Sequence, residues 1–344
     1  MKDSANSPPA TARKVRAPRN RTLEVFADEE VGLNDQVIAL RGPAEAGEIR
    51  NRIICQDLFQ IVDWLPRNCV NLLFVDPPYN LTKRFNNNTF RERSIQGYGS
   101  WLESWLVKLL PTLTTNASVY ICGDWRSSAA IHMVAEKYLH IRNRITWERE
   151  KGRGAETNWK NCSEDVWFCT VSDDFVFNLD AVKLKRKVIA PYTENGKPKD
   201  WDRTESGDYR LTHPSNLWTD VTVPFWSMPE NTDHPTQKPE KLLAKIILAS
   251  SHPGDLLLDP FVGSGASAVV AKKTGRNYVG IEVDRTYCLL AQKRLMMADQ
   301  DRSIQGYSEG VFWERNSLKD QKASGNNSAL QDQLPFLATA SNHK

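Results

Sequence analysis

The chain contains few cysteines, and none of them has the spacing of a metal or disulfide motif. No pair is separated as C-x-x-C, the spacing of many zinc sites and redox centres. The sequence therefore indicates neither a zinc site nor a disulfide framework, and we expect no bound metal and reduced, structural thiols. The six cysteines among the 344 residues are Cys55, Cys69, Cys122, Cys162, Cys169 and Cys288.

Long apolar runs and a strong excess of charge are also lacking. Hydrophobic residues make up 40% of the chain and charged residues 25%, which is typical of soluble globular proteins. No apolar run approaches a membrane span, and the first twenty residues contain no apolar signal segment. We therefore predict a cytoplasmic protein with no membrane partner. The net charge of +3 neither requires nor excludes a nucleic-acid partner, so the distribution of the cations matters more.

The tetrapeptide Asp76-Pro77-Pro78-Tyr79 directly follows Val70–Val75, an apolar run with the length of a buried strand. Open α/β sheets bind ligands at the carboxyl ends of their strands, so this position indicates a catalytic site. A carboxylate, a backbone stiffened by prolines and an aromatic ring suit the exocyclic amino group of a flat base. The alternative is a surface turn in which the prolines only end the strand.

Two glycines, Gly263 and Gly265, lie between a predicted strand at residues 255–259 and a predicted helix at 267–273. Glycine permits positive φ and close approach of a ligand, and a helix N-terminus offers free N–H groups. A further predicted strand, at residues 277–282, ends at Glu282, nineteen positions after Gly263, where a carboxylate suits ribose hydroxyls. The segment predicts a nucleoside site, and an ordinary turn is the alternative because the last glycine of the dinucleotide fingerprint is absent.

Between residues 51 and 295 the chain resembles the S-adenosylmethionine-dependent DNA amino-methyltransferases. The tetrapeptide precedes the glycines, an order similar to the circularly permuted β group, in which a target-recognition region separates the two motifs. The resemblance implies an α/β, Rossmann-like methyltransferase fold with a mixed, mostly parallel sheet and an irregular target-recognition insert. The segments that carry it are Asp76-Pro77-Pro78-Tyr79-Asn80, His234-Pro235-Thr236-Gln237-Lys238-Pro239 and Asp259-Pro260-Phe261-Val262-Gly263-Ser264-Gly265.

The resemblance also implies a role for individual residues toward S-adenosylmethionine. Asp57 would lie near the adenine and Glu282 near the ribose, while Lys238 matches a motif whose region contacts the methionine carboxylate. A helix N-cap is the alternative for Asp57, and a solvated charge is the alternative for Lys238. The complete set expected at the cofactor is Asp57, Asp76, Lys238, Asp259, Phe261, Gly263, Ser264, Gly265 and Glu282.

The catalytic residues implied by the resemblance are Asp76, Pro77, Pro78 and Tyr79. Asp76 and the Pro77 carbonyl would accept the amino hydrogens of the base, and Tyr79 would stack on a nucleotide that has swung out of the duplex. Asp at position 76 resembles enzymes of adenine N6, whereas enzymes of cytosine N4 more often have Ser there. Attack at cytosine C5 is not expected, because no cysteine of this chain follows a proline.

The remaining segments give the expected organisation. Residues 1–22 form a disordered basic arm, 23–179 the catalytic half, 180–233 the target-recognition insert, 234–315 the cofactor-binding half and 316–344 a disordered tail. We expect helices at 101–110, 127–138 and 240–251, and strands at 118–122, 141–147 and 166–170. The hexapeptide Arg-Ser-Ile-Gln-Gly-Tyr occurs at 93–98 and at 302–307, but without a period it indicates no repeat architecture.

Double-stranded DNA is the expected partner, and its phosphates would meet two basic clusters. The alternatives are a solvated loop for the first cluster and an irregular subdomain with its own aromatic core for the second. A cognate restriction endonuclease, a homodimer and association with the bacterial nucleoid are further expectations. A non-catalytic DNA-binding protein and a nicotinamide enzyme are the distant alternatives. The clusters contain Arg149, Lys151 and Arg153, and Lys183, Lys185, Arg186 and Lys187.

Overall fold

Helices and strands alternate along most of the chain, as the apolar runs predict. The structure is a computed structural model that describes residues 16–85, 88–149, 156–189, 192–195, 197–204, 207–317 and 321. Within these ranges, short 3₁₀ turns lie at Val62–Trp64, Leu110–Thr112 and Leu179–Val182. The α-helices are α1 (Glu30–Asn34), α2 (Ala46–Ile49), α3 (Leu58–Ile61), α4 (Ile95–Leu109), α5 (Trp125–Ala135), α6 (Glu240–Ala249), α7 (Ala266–Lys273) and α8 (Arg285–Gln300).

The strands fall into one large sheet, a smaller sheet and two hairpins. They are β1 (Val37–Ile38), β2 (Arg52–Cys55), β3 (Val70–Val75), β4 (Lys83–Phe85), β5 (Asn88–Phe90), β6 (Leu113–Gly123), β7 (His140–Glu148), β8 (Ser163–Thr170), β9 (Leu184–Lys187), β10 (Thr193–Glu194), β11 (Lys197–Pro198), β12 (Asp202–Thr204), β13 (Gly207–Thr212), β14 (Leu217–Trp218), β15 (Leu256–Asp259), β16 (Asn277–Glu282), β17 (Tyr307–Ser308) and β18 (Val311–Trp313).

The large sheet has nine strands in the order β1-β2-β16-β15-β3-β6-β8-β7-β14. Neighbours are parallel except at β8, which is antiparallel to both β6 and β7. From β15 the chain continues to β16 on one side, and from β3 it continues to β6 on the other. The strand order therefore reverses between β15 and β3, and such a reversal opens a crevice at the carboxyl ends of the two strands. The expected mixed, mostly parallel sheet is confirmed.

Both faces of the sheet are covered, so its central strands are apolar on both sides. Leu72 and Phe74 of β3 face one core, and Leu73 and Val75 face the other, as the two-residue period of a strand requires. Helices α6, α7 and α8 pack on the first face, and α4 and α5 on the second. None of the described helices is long and apolar enough to cross a membrane.

Two helices begin earlier than the sequence pattern predicts, because a polar side chain caps each of them. Helix α4 starts at Ile95, since the Ser94 hydroxyl accepts a hydrogen bond from the Gly97 N–H at 3.0 Å. Helix α5 starts at Trp125, since the Asp124 carboxylate accepts from the Ser127 N–H at 2.9 Å. Each cap satisfies an N–H group that has no partner inside its helix.

The region from residue 180 to 233 contains short strands and no α-helix among its described residues. Strands β9, β12 and β13 join β17 and β18 in a five-stranded sheet, and β14 extends the edge of the large sheet. The rings of Trp201, Tyr209 and Trp218 are buried, and Tyr209 packs edge-on against Trp313. Burial of these three rings favours a structural role, which is the alternative to exposure for DNA contacts, whereas Tyr192, Phe225 and Trp226 of the same region are exposed. Residues 307–313 therefore pack with the insert.

Candidate active site

The two motifs meet at the point where the strand order reverses. Asp76 follows β3 and Gly263 follows β15, and these strands are parallel neighbours with Leu72 opposite Leu257. A cavity of about 350 Å³ opens at their carboxyl ends. Tyr79 and Gly263 both line this cavity, although 184 positions separate them in the sequence. The tetrapeptide is therefore not a turn remote from the glycines.

The turn after β3 is fixed by hydrogen bonds from two sides. The Tyr98 hydroxyl, at the start of α4, donates to the Pro78 carbonyl at 3.0 Å. Asn80 is buried, and its backbone N–H donates to the Ser127 hydroxyl at 3.0 Å. The Asn80 side chain also donates to the Arg93 carbonyl at 2.9 Å and accepts from the Arg93 N–H at 2.8 Å. Asp76 and Tyr79 are thus presented to the cavity by a turn that has little freedom to move.

Lys238 forms a buried ion pair with Asp76. Its ammonium lies 2.6 Å from each carboxylate oxygen, and the two side chains are only 5% and 15% exposed. Burial raises the pKa of Asp76, and Lys238 opposes that rise. Burial alone would lower the pKa of Lys238, but the charges of Asp76 and Glu164 raise it above its ordinary value. Lys238 is therefore not the solvated charge considered as an alternative.

A network before α6 positions Lys238. The Gln237 amide donates to the Glu230 carbonyl at 2.6 Å and accepts from the Thr232 N–H at 3.0 Å. The Glu230 carboxylate accepts from the Glu240 N–H at 2.7 Å, at the first residue of the helix. Glu240 also pairs with Arg294 at 2.8 Å. These buried contacts fix the approach of the loop to Asp76.

Glu164, on the antiparallel strand β8, was not predicted and lies at the centre of the site. The Tyr79 hydroxyl donates to its carboxylate at 2.9 Å, the Lys238 ammonium lies 3.5 Å away, and Arg149 forms an ion pair with it. The side chain is 5% exposed and lines the cavity. One signal was available: the period of β8 places Glu164 on the same face as Val166 and Phe168, which are core residues.

The glycine turn is shaped by two carboxylates, one buried (Asp259) and one partly buried (Glu282). Asp259 accepts from the Phe261 N–H at 3.0 Å and from the Ser267 hydroxyl at 2.5 Å. Glu282 accepts from the Gly263 N–H at 3.1 Å and from the Asp284 N–H at 2.8 Å. Burial raises the pKa of both acids to about 7.

Both glycines of this turn have positive φ, +51° at Gly263 and +82° at Gly265. A Cβ at Gly263 would lie 2.8 Å from the His234 ring, and a Cβ at Gly265 would lie 2.8 Å from the Ala291 Cα. Ser264 is also buried, and its carbonyl accepts from Arg294 at 2.9 Å. Glycine is therefore needed at both positions by conformation and by space.

His234 is a second residue of the site to which the sequence assigned no role. Its ring packs edge-on against Tyr287 at 4.5 Å and borders Gly263. Burial and the nearby charge of Lys238 lower the pKa of His234 to about 3, so the ring is neutral at physiological pH. Phe261, which was predicted, packs on Trp105 at 5.2 Å and lines the cavity.

The other predicted residues lie further from the cavity or have partners within the chain. Asp57 caps α3, accepting from the Phe59 N–H at 2.9 Å, which was its alternative role. Arg149 lines the cavity, whereas Lys151 and Arg153 lie outside the described residues. In the second basic cluster, Lys183 pairs with Asp180 at 2.7 Å, Lys185 lies 4.3 Å from the centre of the Trp313 ring, and Arg186 lies 3.5 Å from Glu314, while Lys187 is exposed.

Comparison with known proteins identifies relatives along most of the chain. A family model described as DNA methylase matches residues 70–293. The DNA adenine methyltransferase YhdJ of Escherichia coli (strain K12) is 31% identical over 266 residues, which cover 74% of this chain and 86% of that protein. The type II methyltransferase M.HpaI of Haemophilus parainfluenzae is 30% identical over 247 residues, which cover 71% of this chain and 74% of that protein.

Among solved structures, a similar one is the cytosine-N4-specific PvuII DNA methyltransferase. It has a TM-score of 0.50 and 15% identity, and the match covers 75% of this chain and 88% of that one. This similarity confirms the expected fold. Because the family model spans more than half of the sequence and includes both motifs of the cavity, the chain belongs to the DNA methylase family.

Proposed function

We propose that this protein transfers a methyl group from S-adenosylmethionine to the N6 amino group of an adenine extruded from double-stranded DNA. The observation that carries the proposal is that a single cavity of about 350 Å³ is lined by Asp76 and Tyr79 on one side and by Gly263 and Glu282 on the other. Membership of the DNA methylase family supports the same reaction.

The residues on the β15 side fit a nucleoside-type cofactor. Gly263 and Gly265 leave room where any Cβ would collide with a neighbour, and the Glu282 carboxylate is held by two backbone N–H groups. Burial of this acid is unfavourable for its charge, and ribose hydroxyls that donate to it would offset that penalty. When bound, S-adenosylmethionine supplies an electrophilic methyl group. Asp259 would support the cofactor site indirectly: its carboxylate accepts hydrogen bonds from Phe261 and Ser267 and so fixes the shape of the glycine turn.

The residues on the β3 side suit an exocyclic amine. Asp76 and the Pro77 carbonyl would accept the two amino hydrogens and keep electron density on the nitrogen as positive charge develops there. Tyr79 would offer its ring to the extruded base. Asp76 is occupied by Lys238 in this structure, but Glu164 lies 3.5 Å from the same ammonium. We therefore propose that Glu164 retains Lys238 while Asp76 accepts from the base.

Cytosine N4 is the second candidate for the target. An adenine target is favoured by the aspartate at position 76 and by the identity of 31% to a protein named as a DNA adenine methyltransferase. The chemistry at the two amino groups is shared, so Asp76 and the Pro77 carbonyl would act in the same way on either base.

Labelled S-adenosylmethionine tests the proposal directly. The purified protein is incubated with mixed-sequence double-stranded DNA and the methyl-labelled cofactor, and the DNA is digested to nucleosides and separated. We expect the label in N6-methyladenine and none in DNA incubated with Asp76→Ala protein purified in the same way. Label only in N4-methylcytosine would overturn the choice of adenine, and no label in any base would overturn the proposed function.

Four finer points belong to the proposal. The type II relative M.HpaI supports a partner restriction endonuclease. Such a partner should cut unmethylated DNA and leave DNA methylated by this protein intact. We propose residues 180–233, with the strands at 307–313 that pack on them, as the region that recognises the target, and Lys187 as one of its exposed cations. The other domain boundaries predicted from the sequence stay proposals. We also propose a homodimer, and light scattering measures the molar mass in solution. The proposed location is the cytoplasm, at the nucleoid, where chromosomal DNA lies.

A further inference from the structure

A short segment that follows the catalytic turn is basic. Residues 81–93 contain Lys83, Arg84, Arg91 and Arg93 but only one acid, Glu92. Four cations less one carboxylate give +3, which equals the net charge of all 344 residues. This local excess of positive charge attracts an anionic surface that approaches the segment.

The segment forms the hairpin of β4 and β5, which begins four positions after Tyr79. The register pairs Lys83 with Phe90 and Arg84 with Thr89. Lys83, Thr89 and Phe90 line the same cavity as Asp76. The hairpin is therefore part of the wall past which an extruded nucleotide would enter.

The base of the hairpin is anchored to the body of the protein. The Phe90 ring packs on Trp101 at 4.9 Å and on Tyr98 at 6.2 Å. The Glu92 N–H donates to the Thr82 hydroxyl at 3.1 Å, and Asn80 holds the backbone of Arg93. These contacts hold the cations at a set distance from Asp76, as a surface that fixes the register of DNA requires.

Of the four cations of this segment, Lys83 lines the cavity. Burial lowers the pKa of Lys83, and the nearby charges of Arg149 and Lys238 lower it further. Arg84 and Arg91 are exposed beside it.

We propose that the β4–β5 hairpin is a DNA-backbone contact, in which Arg84 and Arg91 bind phosphates that flank the extruded nucleotide. The inference rests on the proposed function for the identity of its ligand. Arginine suits this role because its planar guanidinium binds phosphate oxygens in pairs and stays charged. Such contacts position the duplex and carry no sequence information.

Salt dependence of DNA binding tests the proposal. The variant Arg84→Gln/Arg91→Gln is compared with wild type and with the control Arg50→Gln/Arg67→Gln. The control removes two exposed arginines that precede β2 and β3, at the amino ends of these strands and away from the cavity. Each phosphate contact adds about 0.9 to the slope of log K against log salt, so the hairpin variant should lose about 2 in slope. We expect a similar loss on duplexes of unrelated sequence, and no change in the control variant or in the Kd for S-adenosylmethionine.

The outcomes distinguish this inference from the proposed function. Equal slopes for the hairpin variant and the control would overturn the hairpin contact, even if wild type methylates DNA. If wild type binds duplex DNA but transfers no methyl group, the proposed reaction fails while the slopes still decide the role of the hairpin. If wild type does not bind DNA at any salt concentration, both are overturned.

Discussion

The ammonium of Lys238 lies 2.6 Å from both carboxylate oxygens of Asp76, although the two residues are 162 positions apart. Each residue would be costly to bury alone, and together they form a neutral unit. The pair links the loop before α6 to the turn after β3, so it joins the two motifs of the cavity. Lys238 thereby opposes the rise that burial causes in the pKa of Asp76, the carboxylate that is proposed to accept from the base.

Asp76→Ala is expected to lower methyl transfer by at least about 100-fold, because one of the two acceptors for the amino group is lost. The Kd for S-adenosylmethionine should change little, since the glycine turn and Glu282 are untouched. The matched control is Asp63→Ala, which removes an exposed carboxylate on a different surface. Single-turnover rates and equilibrium binding provide the two measurements. A rate near that of wild type would show that Asp76 is not an acceptor in the reaction.

Glu164→Gln is expected to shift the pH profile of kcat/KM. The charge of Glu164 adds to the rise that burial causes in the pKa of Asp76, so removing this charge lowers that pKa. Activity is lost as the pH falls through the pKa of Asp76, and the acidic limb should therefore move to lower pH in this variant. Glu164→Asp keeps the charge and is the control. If both variants moved the limb alike, the effect would be structural.

Gly265→Ala and Gly254→Ala form a matched pair for the glycine turn. Both glycines have positive φ, +82° and +88°, but only Gly265 has neighbours that a Cβ would strike. We expect Gly254→Ala to lower the free energy of unfolding by about 1 kcal/mol through backbone strain, and Gly265→Ala by about 2–5 kcal/mol through strain and overlap with Ala291. Urea titrations measure both values. Equal losses would contradict the tight packing of α8 against the turn.

The affinity for S-adenosylmethionine is expected to depend on pH through Glu282. Burial raises the pKa of this acid to about 7, and ribose hydroxyls favour its ionised form. Below that pH a proton must leave on binding, so the affinity should fall by up to about tenfold per pH unit and level off above pH about 7. Glu282→Gln should bind more weakly and with a smaller slope.

Asp259 also has a pKa of about 7, but it is present in wild type and in Glu282→Gln alike. Calorimetry in buffers of different ionisation enthalpy therefore gives the protons released at Glu282 as the difference between wild type and Glu282→Gln. The same release from both proteins would contradict a contact between Glu282 and the cofactor.

Local sequence predicted the parts of the site that each lie within one βα turn. The run Val70–Val75 gave the position of Asp76, because a strand buried on both faces is almost uniformly apolar. The spacing of Gly263 and Glu282 indicated a strand, a turn and a second strand, as observed. Glu164 was missed because its role depends on β8 running antiparallel between β6 and β7.

The repeated hexapeptide shows the difference between what local sequence determines and what tertiary packing determines. At 93–98 it begins α4, where the Ser94 hydroxyl caps the helix and the following residues bury Leu102 and Trp105. At 302–307 the same six residues form a turn, with Gly306 at φ +81° and Tyr307 in β17. The same hexapeptide thus adopts two different structures, because the residues that follow each copy pack on different surfaces.

By itself, the sequence determined which residues form the central strands of the large sheet, where the prolines and glycines interrupt them and which family the chain resembles, since these depend on neighbouring residues. Only the tertiary structure decided that Lys238 pairs with Asp76, that Glu164 contacts Tyr79 and that Lys83 of the hairpin borders the cavity. Those contacts join residues from separate strands, and strand order is set by burial across the whole sheet.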